Sequence, residues 1–167
     1  RMSSMAASLL IPQFQTIEDD MRLRDKNREK LDKSLSEMGL KITQRYKQVT
    51  REANHLYLLR YKAEKFNDIS REKFFDAMRA EGVYTYAGYN PLYREEVFQR
   101  KGDDFPWLKN LNYSNISCPV TEQISDYQSV WLTQNHLLGD DSDIKDIINA
   151  FEKVTVALKK DPEKFDI

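Results

Sequence analysis

Cysteine is almost absent: Cys118 is the only one in 167 residues. No intrachain disulfide is possible, and a reducing, cytoplasmic compartment is the expected setting. As a lone small side chain of apolar character, Cys118 is expected to be buried. Histidine is as scarce. His55 and His136 lie far apart in the chain, with no cysteine or carboxylate at metal-ligand spacing, so no metal site is expected. Glycine and proline number five each and are scattered; no GxGxxG or GxxxxGK phosphate loop is formed. The GxSxG elbow is missing as well. No stretch approaches the roughly 20 apolar residues of a membrane span, and no signal-peptide pattern is present. Neither sign of charge dominates: 26 Lys and Arg stand against 27 Asp and Glu, a net charge of −1. Bulk attraction to nucleic acid or to an anionic membrane is therefore not expected.

What remains is 40% hydrophobic and 32% charged, the composition of a globular chain. Its length suits one compact domain with a core that needs no disulfide or metal. A first residue of Arg1 rather than Met points to a chain trimmed or cut from a longer one.

Periodicity predicts a long helix, or two helices in line, over about residues 3–38. Leu10, Phe14, Ile17 and Met21 recur at helical spacing, and the stripe resumes at Leu31, Leu35 and Met38. Arg24 and Arg28 occupy its middle positions, suited to snorkelling or to facing a partner. Pro12 should kink or break the helix, and Gly39 should end it. Residues 41–50 form a weak strand candidate, and HLYLLRY at 55–61 a stronger one. Ser70 is a helix N-cap, with Ile69 and Phe74 placed as a hydrophobic staple and Gly82 at the exit. VYTYAGY at 83–89 reads as a strand, closed by the Asn90-Pro91 turn. Residues 100–116 read as a long loop. Pro119 opens a short helix, SVWLT is a strand, and Asp140 to Asp143 cap a final helix with Ile144, Ile147, Phe151 and Leu158 on one face. The sum is an α+β fold: a small, mostly antiparallel sheet with helices over one face.

Acidic residues are too many and too dispersed to single out a catalytic pair. The unusual stretch is YTYAGYNPLYREEVF, with Tyr84, Tyr86, Tyr89 and Tyr93 around a turn. Such a cluster suits ligand contact through hydroxyls and ring faces, and equally suits sheet packing with polar tips in water.

Several segments, in order, resemble the DegT/DnrJ/StrS family of pyridoxal-phosphate aminotransferases. RMSSMAASLL resembles the family's Asn-Tyr-Arg-Met-Ser-Glu…Ala-Ala signature at the start of the long interdomain helix. HLYLLRY, SREKFFDAMRAEGVYT, YNPLYREEVF, CPVTEQISDYQSVWL and LLGDDSDIKDIINAFEKV resemble the strand, helix, turn, Cys-Pro-x-x-Glu helix and closing helix that follow. The nucleotide-sugar branch usually carries His-Tyr-x-Pro-Leu-His where this chain has Gly88-Tyr89-Asn90-Pro91-Leu92-Tyr93. Tyr93 and VWLTQNHLLG resemble the aminocyclitol branch more closely.

The resemblance implies the C-terminal small domain of a fold type I enzyme. It divides the chain into an interdomain helix, 1–38, and a small domain, 39–167, with the large cofactor-binding domain outside it. The implied reaction moves an amino group from glutamate or glutamine to a keto-sugar or keto-cyclitol, within a homodimer. The implied cofactor is pyridoxal phosphate, carried by a large-domain lysine, so this chain alone is expected to be inactive and to bind none. Arg1 stands just after a family asparagine that reaches the cofactor phosphate. Tyr89 and Tyr93 fall in the turn that faces the substrate, and Gln134 near the end of the following strand. A sugar dehydratase of the same family, with the lysine replaced, and a stand-alone interaction module are the other readings.

Overall fold

A computed structural model describes residues 2–99, 106–108 and 112–165. A 34-residue helix, α1 (Ser4–Glu37), opens the chain, with the Ser3 side chain accepting the Ala6 amide as N-cap. It continues through Pro12 without the break that the sequence predicts. Pro12 withholds one amide proton from the Ser8 carbonyl. That stretch of helix is exposed, so water can take the free acceptor.

The two halves of α1 have different fates. Leu31 and Leu35 are fully buried in the core. Met5, Leu9 and Phe14 stand in solvent. Between them, Arg24 and Arg28 are buried rather than snorkelling. Asn27, also buried, donates to the carbonyls of Leu137 and Gly139 at 2.9 Å each, which pins the helix to the segment before the last helix.

The sheet is antiparallel, in the order β1 (Lys41–Ile42), β2 (Leu56–Arg60), β3 (Ser129–Thr133). Strand β1 is far shorter than the candidate at 41–50. The reason lies in the side chains beyond it: Arg45, Arg51, Glu52 and Asn54 bond to Glu18, Asp25 and Arg28 on α1. Those polar contacts hold the segment along the helix instead of in a ladder. Register assigns the faces. Tyr57, Leu59, Val130 and Leu132 point into the core, whereas the pairs Leu56–Thr133, Leu58–Trp131 and Arg60–Ser129 lie on the other face.

Helices cover the core face. Helix α2 (Arg71–Ala80) starts at Ser70, whose hydroxyl accepts the Lys73 amide, with Ile69 and Phe74 both buried. A short helix, α3 (Pro119–Gln123), runs into a π-helical turn, Ile124–Gln128. The closing helix α4 (Asp141–Lys160) carries a full capping box between Asp140 and Asp143. It buries Ile144, Ile147, Phe151 and Leu158. Full burial of such side chains contributes about 1.5–3 kcal/mol each. Tyr61 stacks between Phe66 and Phe74, with centroids 4.9 Å from each, and donates its hydroxyl to the Ile69 carbonyl.

The strand expected at 83–89 is reduced to one bridge, Tyr86 to Trp131. Two backbone bonds of 3.0 and 2.8 Å make it, and the chain then turns away at Gly88. Of the expected loop at 100–116, residues 106–108 and 112–116 are described, with short 3-10 turns at Pro106–Leu108 and Tyr113–Asn115; the rest lies outside the described residues. Among the described residues, no helix is long and apolar enough to cross a membrane.

Lys30 and Lys26 tie α1 to α4 through Asp141, at 2.7 and 2.9 Å. Hydrogen bonds from Lys30 and then Lys26 hold the Asp141 carboxyl down at about 2. A depressed folded-state value means the tie contributes above the ordinary carboxylate range and is lost as pH falls toward 2. A carboxyl-detected NMR titration should find the Asp141 midpoint near 2. An ordinary midpoint of about 3.9 would show that the tie does not form in solution.

Candidate functional site

The tyrosine stretch lies at the edge of β3, against the uncovered face of the sheet. Gly88 brings the backbone onto the Trp131 indole: a Cβ there would fall 2.8 Å from Trp131 Nε1 and closer still to Cε2 and Cζ2. Tyr89 meets the same indole edge-on, at 5.0 Å and 90°. Trp131 and Tyr89 together separate two clefts. One, of about 350 Å³, lies among His55, Tyr86, Gly88, Tyr89, Trp131 and Thr133. The other, of about 420 Å³, runs over Leu58 and Arg60 toward Ile124 and Ser125.

Side chains of α3 and its π-helical turn hold the tyrosine loop. Ser125 Oγ donates to the Tyr89 carbonyl at 2.6 Å, and Arg94 makes two bonds of 2.9 Å to the Asp126 carboxylate. The Tyr93 hydroxyl donates to Glu122, whose carboxylate also accepts the Cys118 amide at 2.8 Å. Desolvation and the Glu122 carboxylate raise the Tyr93 phenol above its ordinary value. The bonds from Tyr93 and from the Cys118 backbone lower Glu122. The turn is itself braced from below. Buried Arg71 donates to the carbonyls of Ser125 (2.7 Å) and Asp126 (2.8 Å), which a π turn leaves available.

The structure brings Tyr89 and Tyr93 to one loop and places Tyr89, 77% exposed, in the wall of both clefts. Gln134 lies elsewhere: its Oε1 accepts from Arg24 Nη1 at 2.8 Å, tying α1 to the end of β3. Arg1 falls outside the described residues. Cys118, expected in the core, is exposed. It directly precedes Pro119 at the start of α3, where its amide rather than its thiol is engaged.

Sequence reading passed over Trp131, His55, Thr133 and Arg60. Alternation along LYLLR and SVWLT could have shown that Arg60 and Trp131 share the outer face. Nothing local tells that Gly88 seats on Trp131. No lysine lines either cleft beside Tyr89, so the described residues provide no cofactor-bearing lysine there.

Residues 1–152 match the model of the DegT/DnrJ/EryC1/StrS aminotransferase family. An L-glutamine:2-deoxy-scyllo-inosose aminotransferase of Micromonospora echinospora is 29% identical over 156 residues, 92% of this chain and 37% of that protein. In three dimensions the chain resembles 3-amino-5-hydroxybenzoic acid synthase, with a TM-score of 0.72 and 19% identity over 93% of this chain and 39% of that one. An aminotransferase from Psychrobacter cryohalolentis also gives 0.72 and 19%, covering 95% and 40% of the two chains. The chain spans between 37% and 40% of the length of the curated relatives it matches. With the family pattern running through nearly every element, from α1 into α4, the chain belongs to the DegT/DnrJ/EryC1/StrS aminotransferase family.

Proposed function

We propose that this chain is the small-domain part of an aminotransferase that moves the amino group of L-glutamine to a keto-cyclitol, with pyridoxal phosphate held by residues outside it. The family match over 1–152 carries the reaction class. The names of the relatives, glutamine-dependent enzymes acting on scyllo-inosose derivatives, supply donor and acceptor and favour transfer over dehydration. The chain spans 37–40% of the length of these relatives, and the cofactor is assigned to the remainder. In this reading, residues 1–38 link the two domains, and 39–167 form the small one. The exposed Met5, Leu9 and Phe14 are covered by the large domain or a second subunit.

Tyr89 and Tyr93 border the substrate. Tyr89 presents an exposed ring and hydroxyl at the clefts. Tyr93 donates to Glu122 and keeps its oxygen lone pairs for a substrate hydroxyl. Gln134 lines neither cleft, and its Oε1 holds Arg24 instead.

The test uses the full-length enzyme loaded with cofactor, L-glutamine and 2-deoxy-scyllo-inosose. Appearance of the aminocyclitol with consumption of glutamine is the expected result; ammonia release without amine transfer would favour dehydration instead. In the same assay, Tyr93→Phe should lower kcat/KM about five- to 150-fold, the equivalent of losing a polar contact worth about 1–3 kcal/mol. An unchanged kcat/KM with a lowered Tm would leave the hydroxyl as a clasp on Glu122 alone.

A further inference from the structure

Of the arginines described, seven have a carboxylate at ion-pair distance: Arg22, Arg28, Arg45, Arg51, Arg71, Arg79 and Arg94. Arg24 and Arg60 are held by neutral amides instead. Arg24 is buried and lines neither cleft beside Tyr89. Arg60 lines the larger one. Its Nε donates to Gln128 Oε1 at 2.9 Å, and Nη2 donates to the same oxygen. That grip orients the guanidinium without neutralising it and leaves the Nη1 edge uncommitted among the described residues.

A second feature is independent of the cleft. Lys41 of β1 lies directly opposite Arg60 in register, so both side chains leave the same face of the sheet. Like charges placed opposite each other in a sheet destabilise it. Neither of these two has a carboxylate at ion-pair distance among the described residues. Among the described residues, no acidic side chain lines the cleft. It offers the hydroxyls of Thr43, Thr121 and Ser129 on one hand, and Leu58, Ile124 and Trp131 on the other.

We propose that this cleft is an anion site that receives the carboxylate of a small amphipathic organic acid. The carboxylate bonds the Nη1 edge of Arg60, with Lys41 adding charge from the neighbouring strand. The hydroxyls bond its remaining lone pairs, and the apolar remainder lies against Trp131 and Ile124. A planar fork suits a carboxylate, and a wall of indole and leucine suits carbon rather than a second anionic oxygen. This assignment uses residues of this chain alone and does not depend on the aminotransferase reading.

The experiment is an NMR titration of the 15N-labelled protein with sodium propionate, sodium chloride being exchanged to keep ionic strength constant. Saturable shifts are expected at Arg60 Nε and at the Trp131 indole. Arg60→Gln should raise the Kd about tenfold or more, and Lys41→Gln, at an exposed position that risks no fold, about three- to fivefold. Equal shifts from chloride, or a Kd unmoved by Lys41→Gln in a folded variant, would overturn the proposal. So would inorganic phosphate binding more tightly than propionate with no response at Trp131, since that describes a phosphate site.

Discussion

Arg28→Met lowers stability by about 3 kcal/mol, read in urea as a shifted midpoint with an unchanged slope, or as a fall in Tm of roughly 6–12 °C. The guanidinium is buried on α1 and holds together everything that replaced the expected strand. Its Nη1 donates to Asn54 Oδ1 at 2.8 Å and to Glu52, and Nη2 reaches the Thr43 carbonyl at 3.3 Å. Asp32 lies 3.5 Å from Nε, and the Tyr57 ring lies 5.9 Å from the guanidinium carbon. Removing one partner of a buried ion pair typically costs about 3–5 kcal/mol. The lower end applies here because Glu52 keeps Arg45 at 3.1 Å, and both carboxylates remain about one-third exposed to water. The control is Arg22→Met, whose ion pair with Asp19 is exposed and should change stability by less than about 0.5 kcal/mol. Equal midpoints for the two variants would show that the network is ornamental. Thr43 and His55 flank this segment and border the clefts, so the same variant should also loosen the site.

Gly88→Ala should cost about 2–4 kcal/mol, against about 1 kcal/mol for Gly82→Ala. Both glycines have a left-handed backbone, with φ of +87° and +84°, so the conformational penalty of an added Cβ is shared. Their surroundings differ. At Gly82 nothing among the described residues lies within 4 Å of the new Cβ, whereas at Gly88 it collides with the Trp131 indole. Trp131 cannot retreat freely, since its backbone pairs with Leu58 on one side and Tyr86 on the other. The loop must therefore lift, and the bridge at Tyr86 and the edge contact of Tyr89 are lost with it. Paired Tm values isolate the steric part, and the Trp131 indole NMR signal reports the displaced loop. If the two alanine variants lose the same stability, the seating of Gly88 on Trp131 is not formed in solution.

Much of the architecture was legible because it is encoded by neighbours in the chain. The cap at Asp140 and the apolar face of α4 require only residues within a few turns. Ser70 with Phe74, and Pro119 ahead of a short helix, are equally local. Alternation in LYLLR and SVWLT marks strands because one face of the sheet is buried. The tyrosine loop stood out by composition, and the ordered motifs from RMSSMAASLL to the Asp-Ile helix pointed to the family that the later match established.

What sequence could not decide were matters of register and partnership across long separations. Arg28 reads as a polar interruption in a helical stripe until Glu52 and Asn54 come alongside. VYTYAGY has strand propensity, yet only Tyr86 pairs, because Gly88 turns the backbone onto an indole that follows much later in the chain. Cys118 is hydrophobic enough for a core, but the start of α3 leaves it in water. Lys41 and Arg60 become neighbours only through an antiparallel register, which no local pattern specifies. Propensity and periodicity describe how one segment presents its faces; which charges then meet, and which remain without a partner, depends on how the segments pack.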